Sequence, residues 1–134
     1  MELHEFMTTR IETIDCDKSA YEAIGKMVDR RIRSLLVAFP GKETDYGVIT
    51  ARDVVFKVLA KGIDPKGIKA SEVASRPLLC VDENIELDDV ARSMQESDVA
   101  RVFVCDGEKI VGVVSLIDLM AATLVKRARG DGLS

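Results

Sequence analysis

Gly47-Val48-Ile49-Thr50-Ala51-Arg52-Asp53-Val54 recurs as Gly112-Val113-Val114-Ser115-Leu116-Ile117-Asp118-Leu119, 65 residues further along the chain (47 to 112). In each copy an apolar run suited to a strand gives way to a helix, and a Thr or Ser hydroxyl stands three residues before an Asp. Helix starts leave backbone N–H groups without intrahelical partners, so the doubled motif points to a polar ligand held by two similar halves. The same spacing is that of a capping box, in which the hydroxyl accepts from a backbone N–H and the carboxylate reaches back to the cap residue. One such motif reads as a cap, because the pattern is common at helix starts; its recurrence after Gly and two β-branched residues adds the ligand reading. A carboxylate has two acceptor oxygens and so suits a vicinal diol such as that of ribose, while the hydroxyl and its neighbouring N–H groups suit a phosphate.

Outward from the motif, the duplication continues. Ala20, Ala23, Ile24 and Met27 form an i, i+3, i+4, i+7 stripe, and Leu87, Val90, Ala91 and Met94 repeat it 67 residues later (20 to 87). Asp17 and Ser19 mark the start of the first helix, Asp82 and Asn84 that of the second. Each helix is followed by an apolar run, Leu35-Leu36-Val37-Ala38-Phe39 or Val102-Phe103-Val104-Cys105, read as a buried strand. Asp106-Gly107 predicts a tight hairpin in the second half, whereas the loop Pro40-Gly41-Lys42-Glu43-Thr44-Asp45 is two residues longer and accounts for the change of shift from 67 to 65. Helices starting at Thr50 and Ser115 close the halves, with Val54, Val55, Val58 and Leu59 in phase with Leu119, Met120, Thr123 and Leu124, and Gly62 stopping the first. Extended lead-ins, Arg10 to Ile14 and Arg76 to Val81, are placed to add a third strand to each sheet. Gly and Pro cluster in Lys61 to Gly67, which reads as the joint and divides the repeats as 1–64 and 65–134.

The predicted class is α+β, two repeats each with a small sheet packed on two helices. At 134 residues and 47% hydrophobic composition the chain is long enough for a compact core. A net charge of −4, with 31% charged residues of mixed sign, lacks the positive excess that nucleic acid would require. No apolar run is long enough for a signal peptide or a bilayer span, so no membrane partner and a cytoplasmic location are expected. Cys16, Cys80 and Cys105 are odd in number and widely spaced, which predicts reduced, packing cysteines and no metal site. His4 has no neighbours that would make it a ligand or base, and no nucleophile elbow, paired-carboxylate site or Gly-rich phosphate loop is present, so no enzyme is expected. The last helix is apolar on more than one face, through Leu116, Ile117, Leu119, Met120, Ala121, Ala122, Leu124 and Val125, which predicts a second copy of the protein against it. Lys126, Arg127 and Arg129 suit its negative C-terminal end.

From about Met7 to Leu124 the chain resembles the CBS domain, and in particular the tandem pair called a Bateman module. Gly47-Val48-Ile49-Thr50 with Arg52-Asp53, Gly112-Val113-Val114-Ser115 with Asp118, and the stretches Ala23 to Val37 and Val90 to Val104 carry the resemblance. It implies two pseudo-twofold halves forming two clefts for adenosine derivatives: AMP, ADP or ATP, less often S-adenosylmethionine or NAD. By the same resemblance the motif Asp takes the ribose, the Thr or Ser takes the phosphate, and apolar strand residues of the other half take the adenine. One implied cleft joins Thr50, Arg52 and Asp53 to Leu79, Val99, Ala100 and Arg101; the other joins Ser115 and Asp118 to Thr13, Ile32, Arg33 and Ser34. Leu36 and Phe103 stand where the family often has Pro, and Phe103 is placed to narrow the adenine slot.

Charge separates the two motifs. Arg52 precedes the first Asp, where a guanidinium can fork to phosphate, whereas Ile117 precedes the second, leaving that cleft dependent on Arg33 or on a less charged ligand. The resulting expectation is a nonenzymatic sensor of an adenine nucleotide, with no obligatory cofactor, acting through its own dimer or an unidentified effector protein. The alternative is an assembly module in which both motifs serve only as helix caps.

Overall fold

The computed structural model describes residues 3–41, 46–76, 78–107 and 109–128. Residues 42–45 of the longer loop, Pro77, Arg129 and the side chain of Lys126 lie outside what is described. The chain packs as two units, Ile11–Leu78 and Met1–Arg10 with Leu79–Ser134. The packing units are therefore offset from the sequence repeats: the N-terminal segment belongs with the second repeat.

In the unit Ile11–Leu78, β1 (Thr13–Asp15) runs parallel to β2 (Ser34–Ala38), which pairs antiparallel with β3 (Tyr46–Thr50), giving the order β1-β2-β3. Helix α1 (Ala20–Arg30) connects the first two strands. Ser19 caps it by accepting from the Glu22 N–H at 3.1 Å. Its buried residues are Ala20, Ala23 and Met27, three members of the predicted stripe, and Ile24 packs partly buried beside them. Leu35 and Val37 alternate out of β2 onto the same core, joined by Ile14 and Ile49 from the flanking strands. After β3 come α2 (Ala51–Val54) and α3 (Ala70–Val73), the latter contributing Ala70 and Val73 to the core.

The unit with Leu79–Ser134 repeats the plan. Strand β4 (Cys80–Asp82) is parallel to β5 (Arg101–Asp106), and β5 is antiparallel to β6 (Lys109–Ser115), in the order β4-β5-β6. Asp106 pairs with Lys109, closing the hairpin predicted at Asp106-Gly107. Helices α4 (Leu87–Ser97) and α5 (Leu116–Ala128) pack on the sheet, with Val90 and Met94 of α4 buried against Val81, Val102, Val104 and Val114.

Four expectations need correction. Ala91 of the second stripe is exposed, because the shielded arc of α4 is narrower than the stripe and centres on Val90 and Met94. Neither Asp82 nor Asn84 caps α4: Asp82 accepts from the Asn84 N–H at 2.8 Å in a turn ahead of the helix, and the cap residue is Glu86, with no side-chain bond. The helix after Thr50 changes to π-helix over Val55–Leu59, with the Ala60 N–H bonding the Val55 carbonyl at 2.8 Å. Finally, Cys80 and Cys105 form a disulfide, with Cα atoms 6.1 Å apart across the β4–β5 pair, and Cys16 alone is free. Sequence spacing hides this pairing because the parallel register, not the separation of 25 residues, brings the two positions together.

The register also explains why each motif opens on glycine. The segment after α3 crosses β3, with Val48 and Ser75 exchanging backbone hydrogen bonds at 3.0 and 2.8 Å. A Cβ on Gly47 would lie 2.9 Å from Arg76 Cγ, 3.0 Å from the Ser75 carbonyl oxygen and 3.1 Å from Phe39 Cε2. In the other unit Thr8 and Val113 exchange hydrogen bonds at 2.9 Å, and a Cβ on Gly112 would lie 2.5 Å from Met7 Sδ. At Gly47 the obstacles include a backbone carbonyl, whereas at Gly112 they all belong to the Met7 side chain.

Candidate functional site

Both motifs form reciprocal caps at the C-terminal end of the third strand of their sheet. The Thr50 N–H donates to Asp53 Oδ2 at 2.9 Å while the Asp53 N–H donates to Thr50 Oγ1 at 3.1 Å. The Ser115 N–H donates to Asp118 Oδ2 at 2.8 Å, the Ser115 hydroxyl donates to the same oxygen at 2.9 Å, and the Asp118 N–H donates to Ser115 Oγ at 3.2 Å. All four residues are half-buried. The capping reading of the motif is thus realised twice, with the Ser115 hydroxyl adding a bond to the carboxylate in the second copy.

Strand pairing collects further predicted residues at each corner. Ser34 lies opposite Thr50, and the Ala51 N–H donates to the Arg33 carbonyl at 3.1 Å. Arg101 lies opposite Ser115, and the Leu116 N–H donates to the Ala100 carbonyl at 3.1 Å. Within one unit, then, Ile32, Arg33 and Ser34 lead into the strand beside Thr50, Arg52 and Asp53. Within the other, Val99, Ala100 and Arg101 stand in the same relation to Ser115 and Asp118. Leu79 sits one residue ahead of β4, where its carbonyl accepts from the Phe103 N–H at 3.2 Å. Thr13 is exposed on β1 and lines a groove of about 350 Å³ with Ile14, Asp15, Lys18, Glu22 and Lys26, none of them a motif residue. Phe103 is buried, with 4% of its surface exposed.

The corners differ in their cations. Arg52 is exposed and its guanidinium lies 5.3 Å from the centre of the Phe56 ring, one turn along its own helix. Lys57, which sequence reasoning missed, reaches Asp53 Oδ1 at 3.1 Å and also donates to the Val73 carbonyl at 3.0 Å. The Asp53-to-Lys57 spacing of four residues on a helix was the available signal. At the equivalent position of the second repeat, 65 residues on, stands Ala122, which is fully buried. Asp53 therefore has one oxygen on the cap and one on an ammonium, whereas the Ser115 N–H and hydroxyl both donate to Oδ2 of Asp118.

Cap geometry also repeats where no glycine announces it. Arg31 at φ 55° and Asp98 at φ 51° end α1 and α4 in the left-handed conformation, and the following residues, Ile32 and Val99, bond back to Met27 and Met94. These turns deliver Ile32–Ser34 and Val99–Arg101 to their corners. Among the described residues, no group of His, Cys, Asp and Glu is arranged to hold a metal ion. No helix among them is long and apolar enough to cross a membrane.

A sheet-and-helix unit built twice, with one hydroxyl–carboxylate corner per copy, defines an internally duplicated α+β module. The family model of the CBS domain matches the chain twice, over residues 3–60 and 70–124, and the chain belongs to the CBS domain family. The CBS domain-containing protein YhcV of Bacillus subtilis is 27% identical over 128 residues, which is 96% of this chain and 89% of that protein. An uncharacterized protein of Methanopyrus kandleri is 30% identical over 104 residues, 77% of this chain and 53% of that protein, so the chain spans only about half the length of this relative. Among solved structures, a hexameric CBS-CP12 protein from bloom-forming cyanobacteria superposes with a TM-score of 0.83 at 26% identity, covering 98% of this chain and 83% of that one.

Proposed function

We propose that this CBS pair is a nonenzymatic regulatory module that binds an adenine nucleotide, AMP, ADP or ATP, at its Thr50/Asp53 and Ser115/Asp118 corners. The observation that carries the reading is the repetition of the whole corner, not only of the cap. With an arginine near each strand entry, Arg33 and Arg101 being offset by one position, both repeats bring a left-handed turn, the strand entry and a hydroxyl–carboxylate pair together in the same register, Ser34 opposite Thr50 and Arg101 opposite Ser115. Capping alone requires only the hydroxyl–carboxylate pair. A ribose diol would take a motif carboxylate in place of a cap bond, and a phosphate would take the hydroxyl, with the Arg52 guanidinium beside the first motif and no counterpart at Ile117 beside the second.

The output passes through a homodimer or an effector protein in the cytoplasm. Leu116, Ile117, Met120 and Leu124 of α5 are 52, 69, 65 and 72% exposed, an apolar face suited to a second copy. Calorimetric titration with AMP, ADP, ATP, NAD and S-adenosylmethionine tests the sensing reading. At least one should bind at or below millimolar concentration, and silence from all five would end it.

A second reading, an assembly module without a ligand, is favoured by one observation: both motif carboxylates are already satisfied as caps. It predicts normal oligomerisation and no heat from any of the five compounds.

A further inference from the structure

Unit Ile11–Leu78 builds its three-stranded sheet without a covalent link, whereas the other unit has the Cys80–Cys105 bond across the corresponding pair of strands. At the equivalent positions of the first repeat stand Thr13 and Ala38, 67 residues earlier, and β1 and β2 hold the same parallel register there. The same register is thus reached in this chain once with a covalent link and once without.

The position of the bond on the sheet follows from strand alternation. Leu79 and Val81 point into the core of their unit, as do Val102 and Val104, so Cys80 and Cys105 project from the opposite face. Both are half-buried, within reach of a small thiol. The bond closes a segment that includes α4, the left-handed turn at Asp98 and the strand entry Val99-Ala100-Arg101.

We infer that Cys80 and Cys105 are a reversible thiol–disulfide exchange site, reduced by a dithiol, whose state sets how firmly α4 and the Ala100–Arg101 corner are held. In the exchange a dithiol thiolate attacks one sulfur, the Cys80–Cys105 S–S bond breaks, and the displaced thiolate takes a proton. The second thiol of the reductant then closes its own disulfide and releases the other cysteine. Two electrons and two protons pass to the pair, and the dithiol is oxidised. Opening the link returns loop-closure entropy to the segment between the cysteines and lowers the cost of local opening there. Any consequence for ligand affinity at Ser115 and Asp118 rests on the nucleotide reading; the exchange site itself does not.

The test is hydrogen exchange on the intact protein before and after treatment with dithiothreitol, with N-ethylmaleimide labelling read by mass spectrometry. Oxidised protein should label at Cys16 only, and reduced protein at all three cysteines. Reduction should speed exchange across 83–101 by about tenfold or more, leave the equivalent stretch 16–34 unchanged, and reverse on reoxidation. The Cys80→Thr/Cys105→Ala variant, which carries the first repeat's residues, should behave as the reduced protein and ignore dithiothreitol. Labelling of Cys80 and Cys105 before reduction would overturn the inference, as would exchange that is unchanged on reduction or that accelerates equally in both repeats. If the double variant does not fold, the wild-type comparison decides alone, and neither readout depends on a nucleotide.

Discussion

Replacing the two motif glycines by alanine should give unequal costs, because the atoms that a new methyl group meets differ in kind. At Gly47 the methyl would approach the Ser75 carbonyl oxygen to 3.0 Å, and that oxygen accepts from the Val48 N–H. Moving it breaks a backbone pair, so Gly47→Ala should destabilise by roughly 2–3 kcal/mol, the upper part of the range for overpacking. At Gly112 the three nearest atoms are Sδ, Cγ and Cε of Met7, at 2.5, 2.8 and 3.1 Å. A thioether side chain has rotors that let it move aside, and alanine reduces the freedom of the unfolded chain, so a net cost of about 1 kcal/mol is expected. Removing the obstacle should recover most of this. In the double variant Met7→Ala/Gly112→Ala, the alanine methyl occupies space vacated by the thioether, and the coupling energy should be about 1 kcal/mol in the stabilising direction. Urea denaturation of the four proteins of this cycle, with Gly47→Ala alongside, measures each quantity. Strict additivity of Met7→Ala and Gly112→Ala, or equal costs at the two glycines, would refute the packing argument.

Lys57→Met should destabilise by about 1 kcal/mol, since it removes a partly exposed ion pair with Asp53 and the donor to the Val73 carbonyl. Hydrogen exchange should localise that loss to the segment around α3; an effect spread over the whole chain would contradict the assignment. Met120→Glu/Leu124→Glu, on the exposed face of α5, should shift sedimentation toward the monomer without lowering the unfolding midpoint of the monomer.

The parts of the fold that rest on local periodicity were legible in the sequence. Helical stripes at Ala20–Met27 and Leu87–Met94 follow from a 3.6-residue period, and the buried strands follow from the apolar runs Leu35 to Phe39 and Val102 to Cys105. Features that depend on contacts between distant segments were not. Nothing in Met7-Thr8 announces a partner at Val113, and nothing in Cys80 or Cys105 states which strands will lie side by side. The left-handed turns at Arg31 and Asp98 were equally silent, because neither residue type signals positive φ as glycine does. At the site, the Thr50/Asp53 and Ser115/Asp118 pairs were readable from spacing alone. Lys57 is less legible because the arginine adjoining Asp53 is the nearer cation in sequence, although the lysine one turn later is the cation that contacts it. Arg52 itself turns to Phe56, which a reading confined to the motif does not anticipate.

The central claim is that the motif carboxylates bind a ligand in addition to capping helices. Titration of AMP into the wild type, Asp53→Asn and Asp118→Asn, with stability measured on the same samples, separates the two roles, because an asparagine oxygen can still accept the cap bond. Affinity should fall by about tenfold or more in at least one variant, while stability changes by no more than about 1 kcal/mol. Unchanged affinity in both variants, with AMP still binding the wild type, would contradict the claim.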